Sequence, residues 1–128
     1  MPRIVCAPIP AALLLLLSMC CPALLAQDAD PQAVILQYHH ISSTTPRSTS
    51  VTVEEFRLQM DYLRDNGFTV LPLESIVKAL QQHMPLPEKA IAITFDDAYI
   101  SVYTAAFPLM KQRGWPFTVF VPSGLVGT

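Results

Sequence analysis

The stretch Ala90-Ile91-Ala92-Ile93-Thr94-Phe95-Asp96-Asp97-Ala98-Tyr99 decides the fold. A run of low polarity that ends in two adjacent carboxylates reads as a buried strand carrying both acids to the edge of a sheet. Side chains alternate along an extended chain, so Ile91, Ile93 and Phe95 point one way and Ala90, Ala92 and Thr94 the other. Both faces are apolar, the pattern of a parallel strand covered on each side by helices. In open or barrel α/β folds, ligands sit outside the carboxyl ends of such strands, which is where Asp96 and Asp97 fall. Like charges repel there, so the pair needs a bound cation, a basic partner or protonation of one acid.

Upstream, Ala33-Val34-Ile35-Leu36-Gln37-Tyr38 reads as another buried strand with His39-His40 directly at its carboxyl end. Adjacent residues of an extended segment face opposite ways, so His39 and His40 are not expected to serve one site. Residues 41–50, rich in Ser, Thr and Pro, read as a loop near the same edge. Thr52 followed by Glu55 fits a capping box, and Val53, Phe56, Met60 and Leu63 then recur at helical spacing up to Gly67. Residues 68–71 form a short strand on this reading, and Leu73, Ile76, Val77 and Leu80 mark a second helix. Pro85 and Pro87 exclude helix before the acid-bearing strand. Downstream, a third helix is expected from Tyr99 to Arg113, with Pro108 kinking it or starting its second half, and a fourth strand over residues 117–121. Strands alternating with helices argue for an α/β fold with a mostly parallel sheet.

At 128 residues the chain is one domain at most, and its hydrophobic content of 52% exceeds what a soluble domain of this size needs. The excess is local. Residues 1–26 carry Arg3, an apolar block from Ala11 to Leu17 and small residues before Gln27, the layout of a signal peptide. Pro8, Pro10 and Pro22 keep its uninterrupted apolar part below the roughly 20 residues a bilayer-spanning helix requires. Cleavage after Ala26 is expected, residues 27–32 then forming a linker; Cys20 and Cys21 leave a lipid anchor, and with it an outer-membrane association, as the alternative. Cys6, Cys20 and Cys21 all lie in the leader, so the exported domain is held by its core without disulfides.

Removing Arg3 leaves a mild acidic excess and no basic run, which excludes nucleic acid as a partner. With four glycines and no phosphate-cradling loop, nucleotide is excluded as well. Ser101 and Ser123 have no evident activating partner, which argues against a serine nucleophile. For Asp96-Asp97 the plain alternatives to a cation site are helix capping and a turn, both places that Asp favours.

Thr94-Phe95-Asp96-Asp97-Ala98-Tyr99, with Tyr103, Pro108-Leu109, Gly114-Trp115-Pro116 and Thr118-Val119-Phe120-Val121 behind it and Tyr38-His39 ahead, resembles the polysaccharide deacetylase family with its NodB homology domain. Within that family the arrangement is similar to poly-β-1,6-N-acetylglucosamine N-deacetylases. The resemblance covers about residues 33–128 and implies a partial (β/α) barrel of the NodB type. It also implies a metal-dependent enzyme that removes acetyl groups from an N-acetylglucosamine polysaccharide in the periplasm or outside the cell. On that resemblance Asp96 is the general base, Asp97 a ligand of a divalent ion (Zn²⁺, Co²⁺ or Ni²⁺), and Tyr38 and His39 contact substrate. Ala98 stands where the family usually has glycine. The family's metal-binding histidines would lie downstream of Thr128, so the chain is expected to be the amino-terminal part of a longer domain and scarcely active alone. A non-catalytic carbohydrate-binding or assembly module is the alternative.

Overall fold

A computed structural model of the protein describes residues 30–127. The expected leader and its cysteines lie outside the described residues. In chain order the elements are β1 (Val34–Tyr38), β2 (His40–Ile41), β3 (Ser50–Val51), α1 (Val53–Asp65), β4 (Thr69–Val70), α2 (Leu73–Gln81), β5 (Ala90–Phe95), α3 (Phe107–Arg113) and β6 (Thr118–Val119).

β5 is the centre of the main sheet, and every residue of it is buried. On one side it pairs with β1 along the whole strand, from Val34↔Ile91 to Tyr38↔Phe95. Its other side is shared: β4 takes the first part at Ala90 and Ile91, and β6 the last part at Thr94 and Phe95. These pairings are all parallel, and with the intervening helices they form an α/β sheet, as the alternation of apolar runs predicts.

Ile91, Ile93 and Phe95 pack into one core with Phe56, Met60 and Leu63 of α1 and with Val102, Ala106 and Met110. The other face of β5 is small and equally buried, and Thr94 Oγ1 donates to the Leu36 carbonyl at 3.0 Å, tying β5 to β1 from the side-chain level. α2 packs on the same strand with Ile76 and Ala79 buried.

Both halves of the capping box form at the start of α1. Glu55 N–H donates to Thr52 Oγ1 at 3.1 Å, and Thr52 N–H donates to Glu55 Oε2 at 2.7 Å. Gly67, at φ 70°, turns the chain out of the helix in the left-handed region that glycine enters without a Cβ penalty. The third helical stretch opens with a π-turn over Val102–Ala106, in which Phe107 N–H reaches back to the Val102 carbonyl. Pro108 is the second residue of α3, directly after the π-turn, so it starts the second half of this stretch.

Three expectations need correction. β1 is not buried throughout: Val34 and Ile35 are 52% and 49% exposed, because among the described residues β1 pairs with β5 alone. Of residues 117–121 only Thr118–Val119 is strand; Phe120 N–H still donates to the Phe95 carbonyl at 2.8 Å, but its side chain is exposed. The segment read as a loop contains a second small sheet, in which β2 and β3 pair in parallel through His40↔Ser50 and Ile41↔Val51. It was invisible in the sequence because strands of two residues have no alternation to detect.

Candidate active site

The parallel register sets the site. Tyr38 lies opposite Phe95, and one residue further on Asp96 N–H donates to the Tyr38 carbonyl at 2.8 Å, extending the ladder past the end of β5. This puts Gln37, His39 and Asp96 at one sheet edge. The Gln37 side-chain amide donates a short hydrogen bond to Asp96 Oδ2. His39 Nε2 stands 3.8 Å from the same oxygen, too far for a direct hydrogen bond but close enough for an ion pair when the imidazole is protonated. Both side chains are partly exposed, so that attraction is screened by solvent.

Asp97 leaves the ladder in a turn. It has φ 64° and Ala98 φ 50°, so two successive residues with a Cβ sit in the left-handed region, at a cost of roughly 1–3 kcal/mol each. Where glycine would adopt this turn freely, Ala98 is held in it. Gln37, Asp96, Asp97, Phe120, Val121 and Pro122 together line an open cleft of about 400 Å³. Ser101, just ahead of the π-turn, makes no side-chain cap, and the acid pair itself enters a turn.

Asp96 therefore has an amide and an imidazole beside it, whereas Asp97 forms no ion pair among the described residues. The Asp97 carboxylate lies near the Tyr99 phenol, and its charge, aided by partial burial, raises the phenol above its ordinary pKa. The Tyr99 ring in turn stacks on His40, with centroids 3.7 Å apart and planes 26° from parallel. His39 thus neighbours Asp96 and His40 neighbours Tyr99, while both border one hollow.

Tyr38 is not brought to the acid pair by its hydroxyl. That group donates to Gln59 Oε1 at 2.7 Å, its ring meets Phe56 edge-on at 5.1 Å, and burial pushes the phenol up to about 12. Together with Gln37, His39, His40 and the Arg47–Val51 segment it borders a second hollow of about 360 Å³. Gln37 belongs to both hollows and is the site residue that sequence reasoning missed. Its signal was there: a lone polar side chain interrupting an apolar strand just before its carboxyl end.

Among the described residues no three His, Cys, Asp or Glu side chains gather as a metal site. A catalytic zinc takes three protein ligands. The donors present therefore do not fit a complete divalent-ion centre.

A parallel α/β sheet with an acid pair just beyond its central strand, and a histidine and an amide on the neighbouring strand, defines a barrel-type carboxylate site. Residues 83–128 match the family model described as polysaccharide deacetylase, and the chain carries part of such a domain. It is 36% identical over 106 residues to the poly-β-1,6-N-acetyl-D-glucosamine N-deacetylase of Escherichia coli (strain K12). That match covers 80% of this chain and 16% of the relative, so the chain spans about a sixth of that protein's length. The structure of IcaB from Ammonifex degensii superposes with a TM-score of 0.67 at 37% identity, covering 77% of this chain and 41% of that one. The Streptococcus pyogenes deacetylase PplD, solved with acetate, gives 0.66 at 29% identity, covering 76% and 45%.

Proposed function

We propose that the chain is the amino-terminal part, over residues 33–128, of an enzyme that hydrolyses the N-acetyl groups of an N-acetylglucosamine polysaccharide. The observation that carries this reading is Asp96, level with His39, held by the Gln37 amide and opening with Asp97 onto one cleft. Poly-β-1,6-N-acetyl-D-glucosamine deacetylases among the relatives, and acetate bound to one structural neighbour, support the substrate class.

Asp96 is proposed as the general base. As water adds to the acetamide carbonyl, one of its protons passes to a carboxylate oxygen of Asp96; that proton is then delivered to the leaving nitrogen as the C–N bond breaks, which gives acetic acid and a free amine on the sugar and returns Asp96 to its starting form. A base must be ionised and aimed before water arrives. The Gln37 amide does the aiming, since a donor on one carboxylate oxygen fixes the plane of the group. His39 and Tyr38 are proposed to contact the sugar, His39 by its ring and Tyr38 by its edge of the second hollow. Asp97 is proposed as one ligand of a Zn²⁺, Co²⁺ or Ni²⁺ ion whose remaining ligands come from outside the described residues. Because that set is incomplete here, residues 1–128 alone are expected to bind the ion weakly and turn over slowly. Export accompanies this reading, through the leader at residues 1–26 or a lipid anchor at Cys20 or Cys21.

Acetate release from chitooligosaccharides and from β-1,6-linked N-acetylglucosamine oligomers tests it. Asp96→Asn is expected to lower the rate by roughly 10²–10⁴-fold, the usual worth of a general base; turnover that survives this change overturns the mechanism. The incomplete donor set favours a second reading, binding without chemistry. Oligosaccharide binding weakened by His39→Ala, with no acetate released, would select it.

A further inference from the structure

The left-handed turn at Asp97 and Ala98 is costly for residues that carry a Cβ, and such a turn persists only where its surroundings over-determine it. Two contacts do so, both from β2. The His40 ring lies flat on Tyr99 at 3.7 Å, one residue beyond Ala98. Ile41 N–H donates to Ser101 Oγ at 3.1 Å, three residues beyond it. Ile41 is itself 2% exposed, and β2 is fixed from behind by β3 and by Ser42 N–H donating to the Val51 carbonyl at 2.8 Å. β5 anchors the turn at one end, and this small sheet anchors it at the other.

We propose that His40 is a positioning residue: its ring, stacked on Tyr99, holds Asp97 and Ala98 in the left-handed turn that presents the acid pair to its cleft. The small β2–β3 sheet acts as a clamp that does for Ala98 what a glycine would do by itself. The link from turn to catalysis rests on the deacetylase reading; the clamp does not.

A double-mutant cycle on the intact chain tests it, pairing His40→Ala with Ala98→Gly and reading thermal unfolding together with the backbone chemical shifts of residues 97 and 98. His40→Ala is expected to lower the melting temperature by roughly 5 °C and to move both shifts out of the left-handed range while those of β5 stay put. In the Ala98→Gly background the same change should cost less than half as much, because glycine adopts positive φ freely. His40→Phe, which keeps a flat ring, should restore the wild-type values, and Tyr99→Leu should reproduce His40→Ala from the partner side. Additive melting shifts, or left-handed shifts unchanged in both His40→Ala and Tyr99→Leu, overturn the clamp. Acetate release measured on the same variants separates the two ideas. Turnover that falls in His40→Ala and recovers in the double variant supports both. A wild type too slow to assay, as its incomplete donor set allows, leaves the unfolding and chemical-shift cycle to decide the clamp by itself.

Discussion

Gln37 breaks the apolar run of β1, and its amide reaches Asp96 across 59 positions of sequence. A hydrogen bond to a charged group is worth roughly 1.5–3 kcal/mol. Gln37→Leu keeps the length and removes the donor, so it should lower kcat for acetate release by roughly ten- to hundredfold with little change in KM. A variant with full turnover would show that Asp96 needs no such support. Asp96 and His39 could be found without coordinates because each ends an apolar run, and strand ends are where α/β proteins put chemistry. The Gln37–Asp96 and Ile41–Ser101 contacts could not, since each depends on how β1 and β2 are seated against β5, which hydrophobic pattern alone does not fix. Ala98 lies between: its sequence position raised the question of positive φ, and only the backbone answers it.

Among the elements, the helices were legible and the minor strands were not. α1 announces itself through Thr52, Glu55 and a buried stripe at Phe56, Met60 and Leu63, all local signals. Val53, read as part of that stripe, instead faces solvent at the first turn. The π-turn leaves no local trace, since its residues Val102 and Ala106 carry the same apolar spacing as an ordinary helix. The cap of α1 also yields a pH signature. Arg47, which grips Glu55 with two hydrogen bonds of 2.8 and 2.9 Å, and the Thr52 N–H hold the Glu55 carboxyl down to about 2. A depressed carboxylate stabilises the fold above its unfolded value near 4.5, and that contribution is lost as pH falls toward 2. Thr52→Ala removes one half of the box and should cost about 1 kcal/mol, seen as a melting shift of roughly 4–8 °C at neutral pH. The shift should shrink as pH passes below about 2, where the reciprocal bond to Glu55 weakens in the folded protein; an unchanged difference there would contradict the coupling.

Seen whole, the molecule places its acid cleft at the carboxyl ends of β1, β5 and β6, and Asp96 and Asp97 continue directly from the strand on which every other main-sheet strand depends. β1, β4 and β6 make no ladder with one another among the described residues. They are spokes on one hub, so losing the hub loses the sheet. Native-state hydrogen exchange should therefore give the β1, β4 and β6 amides a single opening free energy shared with β5, while β2 and β3 open separately. Exchange of β1 at a lower free energy, with β5 still protected, would contradict this. If the hub governs opening, no partly frayed sheet keeps its acids in place: the cleft survives as long as its axle does, and the lifetime of the chemistry is the lifetime of one six-residue strand.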